Sequence, residues 1–290
     1  MKISLTKLPA YPWWGTGTPS YENNLAMRLG ALPVQSKVEK EHALALNSLQ
    51  KYTEVLLFPF PQEMDANGLY KHDFIFTRDS FISNQKGSVV ISNFAERQRQ
   101  AEAEQMGLFL EEKGYQVYRL GYNSFAEGGE FYYCLKDDLL FAGICRNNIH
   151  GISETGRILG IENIQIVESD SFHLDTVFSL LLGKDGKLVG IIVCLELIKN
   201  AKSLKQFVKK RGIELIEIKP VDTIGVDGKG KISINCLPLP GFLIGGDQFI
   251  TPGVEARIKK LGIEHVITPV SQFKLSGGGV HCLANELEYK

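Results

Sequence analysis

The order of β-rich and amphipathic stretches along the chain constrains its fold more than any other feature. A unit of two strands, a helix and a third strand recurs several times along the chain. In one instance, strands predicted at residues 178–182 and 187–193 precede a helix at 204–211 and a strand at 214–218. No sequence identity links the units, so the repeat is inferred from the pattern alone. The pattern predicts an α/β protein built from repeated modules.

Three further segments yield local predictions. Residues 38–52 place apolar side chains at helical spacing and predict a helix whose apolar positions are Ala43, Leu44, Leu46 and Leu49. Residues 74–79 form a β-rich run that ends in charged residues, and residues 233–237 predict a strand.

The N-terminal segment differs from the rest of the chain. Residues 1–36 are rich in proline and glycine and include Trp13 and Trp14. This composition predicts an irregular entry segment that could form a rim or lid. No Pro-, Gly- or Ser-rich linker divides the chain, so we expect residues 1–290 to form a single domain.

The composition is that of an ordinary globular protein with 44% hydrophobic and 22% charged residues. The formal net charge of -1 predicts no general attraction to nucleic acid or to an anionic membrane. No apolar run reaches the length of a membrane span, and residues 1–7 lack the apolar core of a signal peptide. The five cysteines are scattered, with no C-x-x-C pair, which favours reduced thiols and a cytoplasmic location.

One cysteine stands apart from the others. Residues 277–282 read Gly-Gly-Gly-Val-His-Cys, and glycines allow backbone to approach a ligand closely. Cys282 is therefore a candidate nucleophile. A buried structural thiol is the alternative interpretation, and it is the one that we prefer for the cysteines in or beside apolar strands, namely Cys134, Cys145, Cys194 and Cys236.

Other polar residues could act with this thiol. A histidine can activate a thiol, and a carboxylate can hold that histidine in the useful tautomer. We propose His173 as the base and Glu127 as its orienting carboxylate. In an extended chain His173 and Asp175 would share a face, whereas His281 would point away from the face of Cys282.

Two carboxylates beside a thiol suit one class of substrate. A guanidinium group is planar and cationic, and its N–H donors match paired carboxylates. Asp79 and Asp175 could hold such a group with its central carbon facing Cys282. The expected partner is thus a small molecule with a guanidino group. The spacing of histidine, cysteine and acidic residues predicts no metal site.

Four motifs resemble the guanidino-group-modifying enzyme superfamily, in the order found there. They are Phe-Thr-Arg-Asp at residues 76–79, Glu-Gly-Gly-Glu at 127–130, Phe-His-Leu-Asp-Thr-Val-Phe at 172–178 and the glycine-rich motif at 277–282. The superfamily includes arginine deiminase, dimethylarginine dimethylaminohydrolase, agmatine deiminase and the amidinotransferases. The resemblance covers roughly residues 55–290 and is more specific for the superfamily than for a substrate.

The resemblance implies a five-bladed α/β propeller, the pentein fold, made of ββαβ modules with pseudo-fivefold symmetry. It also implies a role in arginine metabolism, in which Cys282 attacks the guanidino carbon and forms a covalent thiouronium adduct. His173, oriented by Glu127, then protonates the leaving amine and activates water, while Asp79 and Asp175 hold the guanidinium nitrogens. The implied product is citrulline plus ammonia or an alkylamine, with no metal or organic cofactor.

Residues that would bind the rest of the substrate are less regular. Asp73 stands where arginine deiminases tend to have an asparagine that contacts the amino-acid end. Arg146 lies one place early for the family's carboxylate-binding arginine, so Arg97 and Arg99 are further candidates. Arginine, a methylated arginine and agmatine all stay open as substrates.

Other functions are compatible with the same residues. An amidinotransferase would form the same adduct and resolve it with an amine, and a dihydrolase would attack the ureido product again. A non-catalytic pentein that binds a macromolecule is the alternative from another class, but such relatives lack the Cys, His and Glu set. The chain could also act as a homodimer.

Overall fold

The computed structural model describes residues 1–12, 24–61, 72–225 and 227–289. Fifteen strands lie in these ranges: β1 (Lys2–Thr6), β2 (Glu54–Phe58), β3 (Phe81–Ser83), β4 (Ser88–Ile91), β5 (Gln116–Tyr118), β6 (Phe131–Cys134), β7 (Leu139–Gly143), β8 (Asn163–Val167), β9 (Phe178–Leu182), β10 (Leu188–Val193), β11 (Glu214–Glu217), β12 (Leu237–Leu239), β13 (Phe242–Gly245), β14 (Glu264–Ile267) and β15 (Ala284–Glu288). The α-helices of the same ranges are α1 (Leu25–Arg28), α2 (Gln35–Leu49), α3 (Gln100–Glu112), α4 (Ile149–Leu159), α5 (Ala201–Arg211), α6 (Val254–Lys260), α7 (Ser271–Lys274) and α8 (Val280–Leu283).

The strands form five three-stranded sheets, ordered β15-β1-β2, β3-β4-β5, β6-β7-β8, β9-β10-β11 and β12-β13-β14. Each central strand pairs antiparallel with the first strand and parallel with the third. Parallel neighbours need a crossover, and helices α2 to α6 supply one in each sheet. The repeated unit predicted from the sequence is therefore present five times.

The N-terminal strand completes the first sheet. Leu5 of β1 lies opposite Ala284 of β15 on one side and Leu57 of β2 on the other. The prediction of irregular structure for residues 1–36 is wrong for Lys2–Thr6, for α1 and for the start of α2. The partners of β1 lie far away in sequence, so its own composition carries little sign of this pairing. Trp13 and Trp14 lie outside the described residues.

The predicted helix at residues 38–52 is observed as α2, but its buried face is not the one expected. The buried side chains are Val38, His42, Ala45 and Leu49. Leu44 is instead 43% exposed. The buried face of α2 thus contains a histidine and an alanine where two leucines were expected. A prediction from hydrophobicity alone would not choose these two residues.

Two predicted strands are turns in the structure. The run at residues 74–79 forms two short 3-10 helices, His72–Ile75 and Thr77–Ser80. Residues 233–236 also lie outside any strand, since β12 begins at Leu237. Both differences place irregular backbone just before the first strand of a module.

The crossover helices bury apolar side chains against the sheets. Leu204 and Val208 of α5, for example, share an apolar cluster with Ile191 of β10 and Ile216 of β11. Burying one such side chain contributes about 1.5–3 kcal/mol. None of the helices in the described ranges is long and apolar enough to cross a membrane.

The modules bring short helical turns together. Thr77–Ser80, Gly128–Glu130, Leu174–Thr176 and α8 immediately precede or adjoin the first strands β3, β6, β9 and β15. Neighbouring members of this set contact one another. All four motifs singled out in the sequence therefore end at one place in the fold.

Candidate active site

A small cavity, partly open to solvent, lies where these turns meet. Its lining residues are Asn24, Asp73, Phe76, Asp79, Arg99, Arg146, Phe172, His173, Ser276, Gly277, Gly278 and Cys282. Six of the nine candidate site residues named from the sequence are in this set. Of the other three, Glu127 and Asp175 contact residues of the cavity, as described below, whereas Arg97 lies elsewhere.

The glycines before Cys282 each meet a different neighbour. Gly277 has a φ of +82°, a backbone angle that residues with a Cβ atom rarely adopt. A Cβ at Gly278 would collide with the ring of Phe76, and one at Gly279 would lie 2.8 Å from Oδ1 of Asn235. The three glycines thus let the chain turn tightly into α8, which carries the thiol.

His173 and Glu127 form a buried pair beside the cavity. Nε2 of His173 lies 2.9 Å from Oε2 of Glu127, and Nδ1 lies 3.6 Å from Oδ1 of Asp79. Burial opposes a charge on His173, but Asp79 and the bond to Glu127 outweigh it and raise its pKa. Burial likewise opposes ionisation of Glu127, yet the bond to His173 and the charge of Arg146 lower its pKa to about 2. Both shifts favour an imidazolium held by a carboxylate.

Asp79 presents one oxygen to the cavity. Its Oδ2 accepts a hydrogen bond of 2.9 Å from Nη1 of Arg99, whose Nε donates to Glu102 at 3.0 Å. Oδ1 has no hydrogen-bond partner within the described part of the chain, although it is buried. A buried carboxylate oxygen without a donor is unfavourable, so this atom is ready to accept one from a ligand.

Asp175 lies behind the thiol. Its Oδ2 accepts from Nδ1 of His281 at 2.8 Å and lies 3.2 Å from Sγ of Cys282. The expectation that His281 points away from the face of Cys282 is wrong, because α8 is a helical turn and both side chains reach the same carboxylate. His173, in contrast, contacts Glu127 and Asp79. His173 and Asp175, two residues apart in the sequence, therefore have different side-chain partners.

The environment of Cys282 favours the protonated thiol over the thiolate. Burial raises the pKa of Cys282 well above its usual value, and the charges of Asp175 and Asp79 raise it further. The S–H group is therefore the donor in the contact with Asp175. A cation placed between the two carboxylates would reverse their effect and favour the thiolate.

Two arginines proposed from the sequence have different positions. Arg146 lines the cavity, with its guanidinium 5.2 Å from the ring centre of Phe172 and Nη1 3.4 Å from Glu127. Arg97 instead donates to Asn93 at 2.9 Å. Arg97 is thus not among the residues that line the cavity, whereas Arg99, two positions later, is.

Glu130 was not recognised from the sequence as part of this arrangement. Its two oxygens accept backbone N–H bonds of 2.8 Å from Arg146 and Leu174. The side chain thus ties together the segments that carry Arg146 and His173. Asn235, which contacts Cys282, was also missed, because nothing near it in the sequence marks a site. No group of three or more His, Cys, Asp or Glu residues in the described ranges could hold a metal ion.

Solved structures share the fold over nearly the whole chain. The N-terminal domain of ArgZ, a cyanobacterial arginine dihydrolase, aligns with a TM-score of 0.81 at 18% identity, covering 99% of this chain and 98% of that one. A dimethylarginine dimethylaminohydrolase gives 0.72 at 19% identity, covering 98% of each chain. AgrE gives 0.82 at 18% identity, but the match spans 99% of this chain and 39% of AgrE. The predicted pentein fold is thereby confirmed.

The family of the chain follows from its sequence. No curated protein matches it significantly. A model of the family described as "N,N dimethylarginine dimethylhydrolase, eukaryotic" matches residues 21–289. The predicted membership of the guanidino-group-modifying superfamily is confirmed. The chain belongs to the eukaryotic N,N-dimethylarginine dimethylhydrolase family.

Proposed function

We propose that the protein is a cysteine-dependent hydrolase that acts on the guanidino group of arginine or a methylated arginine. The observation that carries the proposal is that Cys282, His173 and Asp79 line one cavity. A nucleophile, an imidazolium and a carboxylate are the groups that this reaction requires. Family membership supports the same reaction class.

Binding would begin at the carboxylates. A guanidinium N–H would supply the donor that Oδ1 of Asp79 lacks among the described residues. Arg99 fixes the other oxygen of Asp79, so the free lone pairs point in a defined direction. Asp175, 3.2 Å from the sulfur, would add a second negative charge near the guanidino carbon.

The same binding step would activate the nucleophile. The positive charge of the substrate lowers the pKa of Cys282, and the thiol loses its proton to water. The thiolate then attacks the guanidino carbon. As the carbon–nitrogen bond breaks, its electron pair stays with the nitrogen, which takes a proton from His173 and leaves as ammonia or an alkylamine. A thiouronium adduct remains on Cys282.

Hydrolysis would complete the reaction. His173, now neutral, takes a proton from water, and the oxygen adds to the adduct carbon. The carbon–sulfur bond breaks and its electron pair returns to Cys282. The added hydroxyl passes its proton to the thiolate, and the neutral ureido product leaves. Glu127 keeps the imidazole oriented through its 2.9 Å bond during both proton transfers.

The amino-acid end of the substrate would face the other lining residues. We propose Arg146 for an α-carboxylate, because its guanidinium is always charged and can bind a carboxylate in a bidentate manner. Asp73 would pair with an α-ammonium group. These two assignments favour arginine and its methylated forms over agmatine, which has no carboxylate.

A panel of substrates tests the proposal. The purified protein and Cys282→Ser are incubated with L-arginine, Nω-methylated arginines and agmatine, and products are identified by mass spectrometry. We expect a ureido product from the native chain and none from the variant. Consumption only when an acceptor amine is added would assign an amidinotransferase. Absence of any Cys282-dependent product would refute the hydrolase.

A further inference from the structure

The side chain of Asn235 makes four hydrogen bonds at and beside Cys282. Its Oδ1 accepts from the backbone N–H groups of Gly279 and Cys282, both at 3.1 Å. Its Nδ2 donates to the carbonyl oxygen of Asp175 and to Sγ of Cys282, also both at 3.1 Å. The side chain is fully buried. An amide has two acceptor sites and two N–H donors, so all four are used.

These partners fix the orientation of the amide. A backbone N–H can only donate, so the atom that faces Gly279 and the Cys282 nitrogen must be the oxygen. The carbonyl of Asp175 can only accept, so the atom that faces it must be the nitrogen. The group presented to the sulfur is therefore an N–H donor.

Asn235 has a counterpart in the other modules. It lies two residues before β12, as Cys282 lies two residues before β15 and Asp79 two before β3. Three residues earlier, Ile232 has a φ of 53°, an unusual conformation for a β-branched residue. The segment is thus held in an unfavourable backbone conformation at the point where its polar residue reaches the centre of the fold.

We propose that Asn235 positions the sulfur of Cys282 and stabilises its thiolate. This inference rests on the proposed function only in taking Cys282 as the nucleophile. Asp175 and Asn235 contact the same sulfur with opposite effects, since the carboxylate favours the thiol and the N–H favours the thiolate. When a guanidinium neutralises the carboxylates, the N–H of Asn235 stays in place to support the negative charge.

The location of Asn235 predicts a specific kinetic signature. It is not one of the residues that line the cavity. Substrate binding should therefore change little when Asn235 is altered, while the reactivity of Cys282 should fall. A residue with a purely structural role would change stability without changing the ionisation of the thiol.

The test compares Asn235→Asp with Asn200→Asp in the full chain. Asn200 makes the same kind of bonds, from the backbone of Glu168 and to that of Ile166, away from the thiol. The rate at which iodoacetamide labels the Cys282 peptide is measured against pH by mass spectrometry. We expect Asn235→Asp to move this profile to higher pH and to lower kcat about 100-fold, with KM within about threefold of native. Asn200→Asp should change neither.

Asn235→Ala provides a second variant, because it removes the donor to sulfur without adding a charge. It should slow labelling at neutral pH, provided that thermal unfolding shows the native fold. If either folded Asn235 variant keeps the native labelling profile, the inference is wrong. Labelling requires no turnover, so this result stands even if the chain hydrolyses none of the substrates tested.

Discussion

The Oδ2 atom of Asp175 lies 3.2 Å from the sulfur of Cys282. A carboxylate this close to a buried thiol keeps the thiol protonated, because two negative charges would otherwise face each other. The proposed nucleophile would thus stay inactive until a cation arrives. This coupling would protect the cysteine from reagents that lack the charge of the substrate.

Replacing Asp175 by asparagine should separate thiol ionisation from turnover. We expect the pKa of Cys282 to fall, so that iodoacetamide labels it faster at neutral pH. Turnover should nevertheless drop at least about tenfold, because the amide cannot pair with a guanidinium charge. Asp170→Asn, at an exposed ion pair with Lys199, serves as the control. Unchanged or slower labelling of Asp175→Asn would contradict the proposed coupling.

Arg99 and Arg97 should differ in their contribution to stability. The side chain of Arg99 is 3% exposed and pairs with Asp79 and Glu102. Arg99→Ala leaves these buried acids without their shared cation, so the free energy of unfolding should fall by about 3–5 kcal/mol. Arg97→Ala, at an exposed position, should cost at most about 1 kcal/mol. Urea unfolding measures both changes. Equal losses of unfolding free energy in the two variants would contradict the prediction that the buried ion pairs of Arg99 stabilise the fold.

Gly129 should tolerate no side chain. A Cβ there would lie 2.6 Å from Nδ1 of His173 and 2.8 Å from Oδ1 of Asp79. Because small displacements of catalytic groups are costly, Gly129→Ala should lower kcat/KM about 100-fold. Gly121→Ala is the matched control, since its nearest neighbour would be a Glu154 oxygen at 3.5 Å. Native activity in Gly129→Ala would show that the two site residues do not need this spacing.

The His173–Glu127 pair should make stability depend on pH. The folded-state pKa of His173 is raised. Its contribution to the free energy of unfolding is therefore fully present at pH values below the ordinary pKa of histidine, and it is lost as the pH rises through the raised pKa. The free energy of unfolding should therefore decline with rising pH in that window. Glu127→Gln removes one cause of the raised pKa, so its decline should be shallower. Urea unfolding is measured from neutral to alkaline pH for the native protein and for Glu127→Gln. Equal slopes of unfolding free energy against pH in the two proteins would contradict the prediction.

The glycine-rich motif and the short polar motifs could be read from the sequence because each is local. Cys282, His173 and Asp79 lie within or beside turns whose composition is unusual, and all three reach the cavity. Arg97 and Arg99 could not be told apart, since only the folded turn decides which of two nearby arginines points inward.

Long-range pairing was the main feature that the sequence did not reveal. The strand Lys2–Thr6 is central in its sheet only because β15, at the other end of the chain, pairs with it. Asn235 contacts Cys282 only because α8 packs against it, and no local pattern in the sequence indicates that contact. The run at residues 74–79 has β-rich composition, but its place at the convergence of the modules makes it helical.

The most direct test of Cys282 as nucleophile uses S-methyl-L-thiocitrulline with His173→Ala. Its methanethiol group leaves without a proton from His173, whereas hydrolysis of the adduct needs His173 as a base. We predict that the protein gains the mass of the reagent less methanethiol, located on the Cys282 peptide, and that the double variant with Cys282→Ser gains nothing. No mass gain, or a gain on any of the other four cysteines, would contradict the assignment.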